Sequence, residues 1–266
     1  MKRMASTVAR RRDQRGFTLV EMSLVLIVIG LILGAVSIGK DMQRNAEYRK
    51  VQQKFVDQWV QAYNQIFDRT GVVLRDDPIH PTQVVNFLGI TDTATQDELR
   101  DHTGPNGPNV TQTNIPEICG VPATNTVLAN NLLRVAFVEA GIELPAGRAF
   151  NQEDKYLYLD SNGNPQQVSI CFQWIVPTGT ITNPGPSAGN TMIIRGLTPD
   201  LARMLDAAID GRAEGTRGRF RCVAAAGGSA FGGNIGDSET ACEWPTIADN
   251  DVAIVGTVTA AYRMNQ

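Results

Sequence analysis

Between Phe17 and Gly39 the chain runs for 23 residues with a single ionisable side chain, Glu21. A stretch this long and apolar predicts a helix able to cross a bilayer core, which takes about 20 residues. Beyond Lys40 the pattern changes. Tyr48, Val51, Phe55, Trp59, Ala62 and Ile66 recur at spacings of three and four, with Gln, Arg, Lys and Asp between them. That is the apolar stripe of an amphipathic helix. It is expected to reach Thr70 and to stop at Gly71, a residue suited to the left-handed conformation that ends helices. The two stretches together predict one helix of about 50 residues, about 75 Å long. Its second half is expected to pack on a globular head, because such a stripe needs a cover.

The rest of the chain reads as that head. Residues 72–118 are rich in Pro, Asn, Thr, Asp and Gly, with a turn-dense loop at 102–109. Thr126 to Ala140 predicts a helix with Leu128, Leu132, Leu133, Ala136, Phe137 and Ala140 on its inner side and Gly141 as its stop. Lys155–Leu159, Gln167–Val176, Met192–Arg195 and Val252–Val258 read as strands, the first two joined by a turn at Asp160–Pro165. A short helix follows Thr198, which suits a cap. Pro199 fits its first position, Leu201, Leu205 and Ile209 face inward, and Gly211 ends it. Its acids read as solvated surface. The expected class is α+β with an antiparallel sheet.

Composition adds one decisive feature. The net charge of −3 conceals a split: residues 1–16 hold Lys2, Arg3, Arg10, Arg11, Arg12 and Arg15 against one acid, Asp13. The remainder carries 18 basic and 26 acidic residues. A basic segment ahead of a spanning helix keeps its own end in the cytoplasm. Everything after Lys40 is then expected outside the inner membrane. An ordinary secretory signal does not account for the pattern, because its apolar region is shorter and its small-residue cleavage site follows that region. Here the small residue, Gly16, precedes it. A plain anchor explains the length but not Glu21. A carboxylate at the centre of a spanning helix costs roughly 2.5–3.5 kcal/mol, less near an end, and calls for a partner. Cleavage between Gly16 and Phe17 would create one: a new amino group close to Glu21, on the same chain or on a neighbour.

Gly16-Phe17-Thr18-Leu19-Val20-Glu21 followed by an apolar helix resembles the class III signal of type IV pilins and type II secretion pseudopilins. The resemblance implies cleavage after Gly16 by prepilin peptidase and methylation of the Phe17 amine. It implies that Glu21 guides docking of subunits at an inner-membrane assembly platform. It also implies that the apolar helix enters the core of a helical filament built from copies of this chain or related pilins. Division into a cleaved leader (1–16), an assembly segment (17–39), an amphipathic helical half (40–70) and a head (71–266) follows. Many pilins carry a proline along this helix; here the first proline is Pro78, so any loosening of the helix would rely on Gly30 and Gly34, although glycine is also simply common in membrane helices. Their Gly-x-x-x-Gly spacing also permits close helix approach. The helix at 199–210 with Gly218-Arg219 downstream resembles a carboxyl-terminal region of some larger bacterial pilin-like proteins, where an Asp-Gly turn follows the helix.

Four cysteines, Cys119, Cys171, Cys222 and Cys242, form no Cys-x-x-Cys pair, and the two histidines, His80 and His102, are isolated. This disfavours a structural zinc site. In an exported head an even count favours disulfides over buried thiols. Of the three connectivities, sequence order favours Cys119 with Cys171 and Cys222 with Cys242. Asp160–Asn164 alternates oxygen-bearing side chains but lacks the remaining calcium-loop positions, so a turn is expected. Some pseudopilins bind calcium in a carboxyl-terminal loop, so the resemblance keeps Asp237, Glu239, Asp249 and Asp251 as a calcium alternative. No metal or cofactor is called for. No Gly-x-Ser-x-Gly, His-Glu-x-x-His or phosphate-loop motif supports an exported enzyme. The acidic head opposes general nucleic-acid binding, with Arg212, Arg217, Arg219 and Arg221 the one candidate patch. The expected role is a structural subunit, with roles in adhesion, motility or secretion open.

Overall fold

The computed structural model describes residues 18–89, 117–119, 132–175, 189–223, 244 and 256–265, apart from the side chains of residues 37, 38, 40, 41 and 119. Two compact units, Met1–Gln43 and Arg44–Gln266, are distinguished.

Within the first unit the chain is helical from Leu19, the start of α1 (Leu19–Val51). Its apolar side chains stand exposed from Leu19 to Val36, Leu26 at 70%. The one described hydroxyl inside the run, Ser23, donates back to the Val20 carbonyl at 2.8 Å, so it does not present an unpaired group to an apolar surround. A Cβ added at Gly30 or Gly34 would meet nothing within 4 Å.

In the second unit α1 passes into a π-helical turn, Gln52–Val56, and then α2, Asp57–Thr70. Tyr48, Val51, Phe55, Trp59, Ala62 and Ile66 are all buried, together with Val56 and Tyr63. Gly71 takes the left-handed conformation and its amide closes the helix on the Phe67 carbonyl. The expected end therefore holds.

The sheet that covers this stripe has six strands, all paired antiparallel: β1 Ile118–Cys119, β2 Lys155–Leu159, β3 Pro165–Ile175, β4 Gly189–Leu197, β5 Phe220–Val223 and β6 Val258–Arg263. It is five strands wide, because β1 and β2 share one edge of β3 at different heights. Leu159 lies opposite Pro165 and Lys155 opposite Ser169, while Cys119 lies opposite Cys171. On the other edge of β3 come β4, β6 and β5 in that order. Val168, Ile170 and Phe172 of β3 and Met192 and Ile194 of β4 join the helices in the main core, the period-two alternation expected of strands. Aromatic rings form the seam: Trp59 meets Phe137 edge-on at 5.4 Å, and Tyr63 stacks on Phe172 at 5.3 Å. Cys171, Ile175, Ile193 and Ala261 form a smaller buried cluster. Cys171 and Cys222 are each disulfide-bonded.

One glycine is required by the sheet. Gly196 sits at φ +80° in the bulge between Ile194 and Leu197, and a Cβ there would stand 2.1 Å from the Gln167 carbonyl oxygen. Its own carbonyl accepts from the Tyr158 hydroxyl at 3.0 Å, and that hydroxyl accepts from the Thr198 amide at 2.9 Å. Burial pushes the Tyr158 phenol up to about 12.

Two further helices complete the head: α3, Leu132–Glu139, and α4, Pro199–Asp210. Thr198 caps α4, Pro199 opens it and Gly211 ends it, as expected. Leu201, Ala202 and Leu205 are buried and Ile209 is partly so.

Several expectations need correction. Of the helix predicted from Thr126, residues 126–131 lie outside the described residues, and Leu132, expected inside, is 44% exposed. The last strand runs from Val258, not Val252: Gly256 and Thr257 are not in a strand, and residues 252–255 lie outside the described residues. β1 and β5 lie outside the segments whose pattern predicts strands. Val72, Val73, Leu74, Val84, Val85 and Phe87, in a stretch read only as loop, are buried. The α4 acids are not simply solvated. Asp206 is fully buried and accepts from the Trp244 indole at 2.7 Å, and Asp210 accepts from the amides of Arg219 and Phe220 at 2.9 and 2.8 Å. Each closes a link to a segment downstream of the helix, so each is structural.

Candidate processing and assembly site

The start of α1 is built by two residues. Thr18 precedes the first helical residue, and Glu21 is the third residue inside. The Glu21 amide donates to Thr18 Oγ1 at 3.2 Å, and the Thr18 amide donates to Glu21 Oε2 at 2.8 Å. The Thr18 hydroxyl also donates to that Oε2, at 3.0 Å. This reciprocal arrangement is a capping box, which satisfies two of the amides that a helix start leaves unpaired. A carboxylate here also faces the positive end of the helix dipole.

Glu21 thus has a local role that the reading of it as an unpaired charge passed over. The signal was present, since Thr-x-x-Glu ahead of an apolar run is a helix-start signature. Only Oε2 is engaged; Oε1 has no partner among the described residues. Gly16 and Phe17, expected to flank the cleavage point, lie outside the described residues. So do the side chain of Cys119 and the whole of Cys242.

Leu19–Val36 is long and apolar enough to cross a membrane, and none of it is buried. An apolar surface of this extent needs lipid or protein against it. Residues 11–37 carry the prokaryotic N-terminal methylation motif. This is the class III prepilin signal of type IV pilin and pseudopilin families. The match covers the end of the basic segment from Arg11, the Gly16–Phe17 junction, Glu21 and most of the apolar run. No curated protein and no solved structure matches the chain. The apolar helix followed by further helices and an antiparallel sheet gives an α+β chain with a pilin-like layout.

The other candidate positions resolve into structural roles. Asp160 accepts from the amides of Asn162 and Asn164 at 2.9 and 2.8 Å and from the Gln166 side chain at 3.2 Å. Burial would raise this carboxyl, but those hydrogen bonds together hold it below its ordinary value. Its oxygens are taken up by the turn, as expected of a hairpin rather than a calcium loop. Among the described residues no group of three His, Cys, Asp or Glu side chains is placed to hold a metal ion. The acids Asp237, Glu239, Asp249 and Asp251 lie outside the described residues, as does His102. Within the arginine patch, Arg219 donates to the Arg263 carbonyl at 3.0 Å and lies over the Tyr262 ring, and Arg221 donates to the Gly218 carbonyl at 2.8 Å. These contacts tie the turn to β6 and draw two guanidinium groups away from any phosphate.

Proposed function

We propose that this chain is a structural subunit, a major or minor pilin, of a type IV pilus-like filament. The observation that carries the reading is the methylation motif at 11–37 on an apolar stretch, Leu19–Val36, none of which is buried. Prepilin peptidase cuts after Gly16 and methylates Phe17. The helix holds the precursor in the inner membrane with the head outside the cytoplasm, then leaves lipid for the filament core. Both environments cover the same apolar surface, so the transfer exposes none of it to water.

Glu21 then serves twice. Oε2 caps the helix with Thr18, and Oε1 remains for the Phe17 amine of the same chain or of the neighbouring subunit. Because the Thr18 amide already bonds the carboxylate, the new terminus lies one residue from it. In the head, Cys119 pairs with Cys171 and Cys222 with Cys242. Directly opposed antiparallel residues have Cα atoms about 4.5–5.5 Å apart, within the 4.4–6.8 Å that a disulfide requires. The Cys119–Cys171 register supports the first pairing.

Intact-mass and amino-terminal analysis of the membrane fraction tests the processing step. Gly16→Ala is expected to leave the precursor uncut, and a mature chain beginning at Phe17 from that variant would refute the assignment. The same signal serves type II secretion pseudopilins. Filaments beyond the outer membrane support the pilus reading, whereas confinement to the periplasm with a secretion defect on deletion assigns the chain to a pseudopilus.

A further inference from the structure

The head contains a cleft that the assembly reading does not use. It measures about 860 Å³ and lies between α2 and the segment that follows α3. That is within the size range of small-molecule sites. One wall is a row of amides. Gln58, Gln61 and Gln65 stand at helical spacings of three and four, all exposed. Among the described residues none has a hydrogen-bond partner. The row is about 10 Å long, from seven residues at 1.5 Å each. The opposite wall carries Phe150, 74% exposed, and the carboxylate of Glu143.

This wall is held in place. The Arg134 guanidinium lies over the Phe150 ring, 4.3 Å from its centroid. Glu153, itself buried, accepts from Arg134 and, at 3.1 Å, from the Asn151 amide. The loop closes tightly enough that a Cβ on Gly147 would lie 2.4 Å from the Glu153 carbonyl oxygen. The Arg148 amide locks it further, donating to the Lys155 carbonyl at 2.8 Å. At the other end of the cleft Arg69 donates to the Gly141 carbonyl at 2.7 Å, pinning the end of α3 to the end of α2. The ring is thus held by a cation on one side while the rest of its surface stays open.

We propose that the cleft binds the neutral sugars of an oligosaccharide. The ligand must satisfy two demands together. It must offer an apolar face to the Phe150 ring, and it must offer donors and acceptors at short intervals to a row of side-chain amides. Amides both donate and accept, as hydroxyl groups do. A pyranose ring meets both, with C–H bonds on its face and hydroxyls at its rim. A phosphorylated or strongly anionic ligand fits poorly, because Arg134 is already paired with Glu153 and Glu143 adds negative charge. A flat apolar ligand would leave the amides desolvated and unpaired, at a cost. The Phe150 wall is also pre-built: its loop is ordered by its own hydrogen bonds, so the ordering on binding falls on the glutamine side chains alone.

The proposal stands on the cleft alone and does not depend on filament assembly. The test uses the full-length chain in detergent micelles, with chito-, cello- and malto-oligosaccharides and lactose-terminated glycans as probes, read by a binding isotherm for each. At least one is expected to bind. Phe150→Ala should weaken it about tenfold or more, as loss of an aromatic anchor does. Phe150→Tyr should retain it, and Gln61→Ala should weaken it several-fold. Circular dichroism of each variant confirms that the head is folded. Absence of binding by every probe overturns the proposal, as does binding that Phe150→Ala leaves unchanged. If Phe150→Ala instead alters association between copies of the chain while no sugar binds, the cleft is a contact between subunits and the sugar assignment is wrong.

Discussion

Two stretches of helix in this chain have the same backbone and opposite surroundings. From Leu19 to Val36 every residue is apolar or small apart from Glu21 and Ser23, and none is buried. From Arg44 to Thr70 apolar residues occupy one stripe, and Tyr48, Val51, Phe55, Trp59 and Ile66 are sealed under the sheet. The first stretch carries Gly30 and Gly34 with open space beside them; the second has no glycine before its stop at Gly71. Helix formation is therefore not what distinguishes them. The second obtains its cover from its own chain, and the first must obtain it from lipid or from other molecules. A helix whose partner is external must also bring its own terminal hydrogen bonds, which is what Thr18 and Glu21 provide.

The comparison can be broken most directly at Glu21. Glu21→Gln keeps a capping-box residue and removes the charge, whereas Glu21→Ala removes both. Filament yield by electron microscopy should fall to near zero in each if the charge drives docking. Full assembly by Glu21→Gln would reduce the residue to a helix cap. A second test sets the two stretches against each other. Trp59→Ala should destabilise the head by about 3–5 kcal/mol. Leu26→Ala should leave head stability within about 0.5 kcal/mol. Denaturant melts followed by near-ultraviolet circular dichroism measure both, and equal losses would deny that the stretches differ in cover.

The third test concerns pH. Burial pushes the Asp206 carboxyl up to about 7, although the Trp244 indole opposes it. An acid whose folded pKa lies above its unfolded value binds its proton more tightly when folded. Its contribution to stability is present at low pH and is lost as pH rises from about 4 to about 7. Asp206→Asn should flatten that slope and raise the melting temperature at pH 7 relative to the parent chain. An unchanged slope between pH 4 and 7 would show that another group sets it. The smallest effect is expected from Thr18→Ala, about 1 kcal/mol at the helix start. Amide exchange at residues 19–22 in micelles should speed up while the head is unaffected.

Legibility followed the length and regularity of each pattern. The stripe from Tyr48 to Ile66 repeats over five turns, so its buried face and its end at Gly71 could be read directly. So could β2 and most of β3, where β-branched and aromatic residues alternate. β6 could not, because Val258-Thr259-Ala260-Ala261-Tyr262-Arg263 contains two alanines, and the stronger run at Val252–Val258 drew the assignment upstream. β5 was hidden by the arginines around it. The buried valines at 72–73 and 84–85 sit among turn residues and are too short to show a period. Asp206 did leave a trace, since it lies four residues after buried Ala202 and so on the inner face of α4. The capping box was legible but overlapped a motif with another meaning. The cleft left none: its walls are more than 70 residues apart in sequence, and only the packing of α3 against α2 brings them together.

The π-helical turn at Gln52–Val56 bears on how the two halves of the helix are kept in register. A regular helix advances about 100° per residue, so adding one residue would swing everything beyond it off the sheet. A single wide turn absorbs that extra residue locally, and π turns of this kind occur as bulges within α-helices. Here both Phe55 and Val56 are fully buried, and Trp59 and Tyr63 still face the core. The turn thus holds one residue more than a regular helix would need to keep both sides in register, and that residue can be removed as a test. Deleting Gln53, whose side chain is exposed, should restore an unbroken α-helix while leaving the aromatic seam on either side in register.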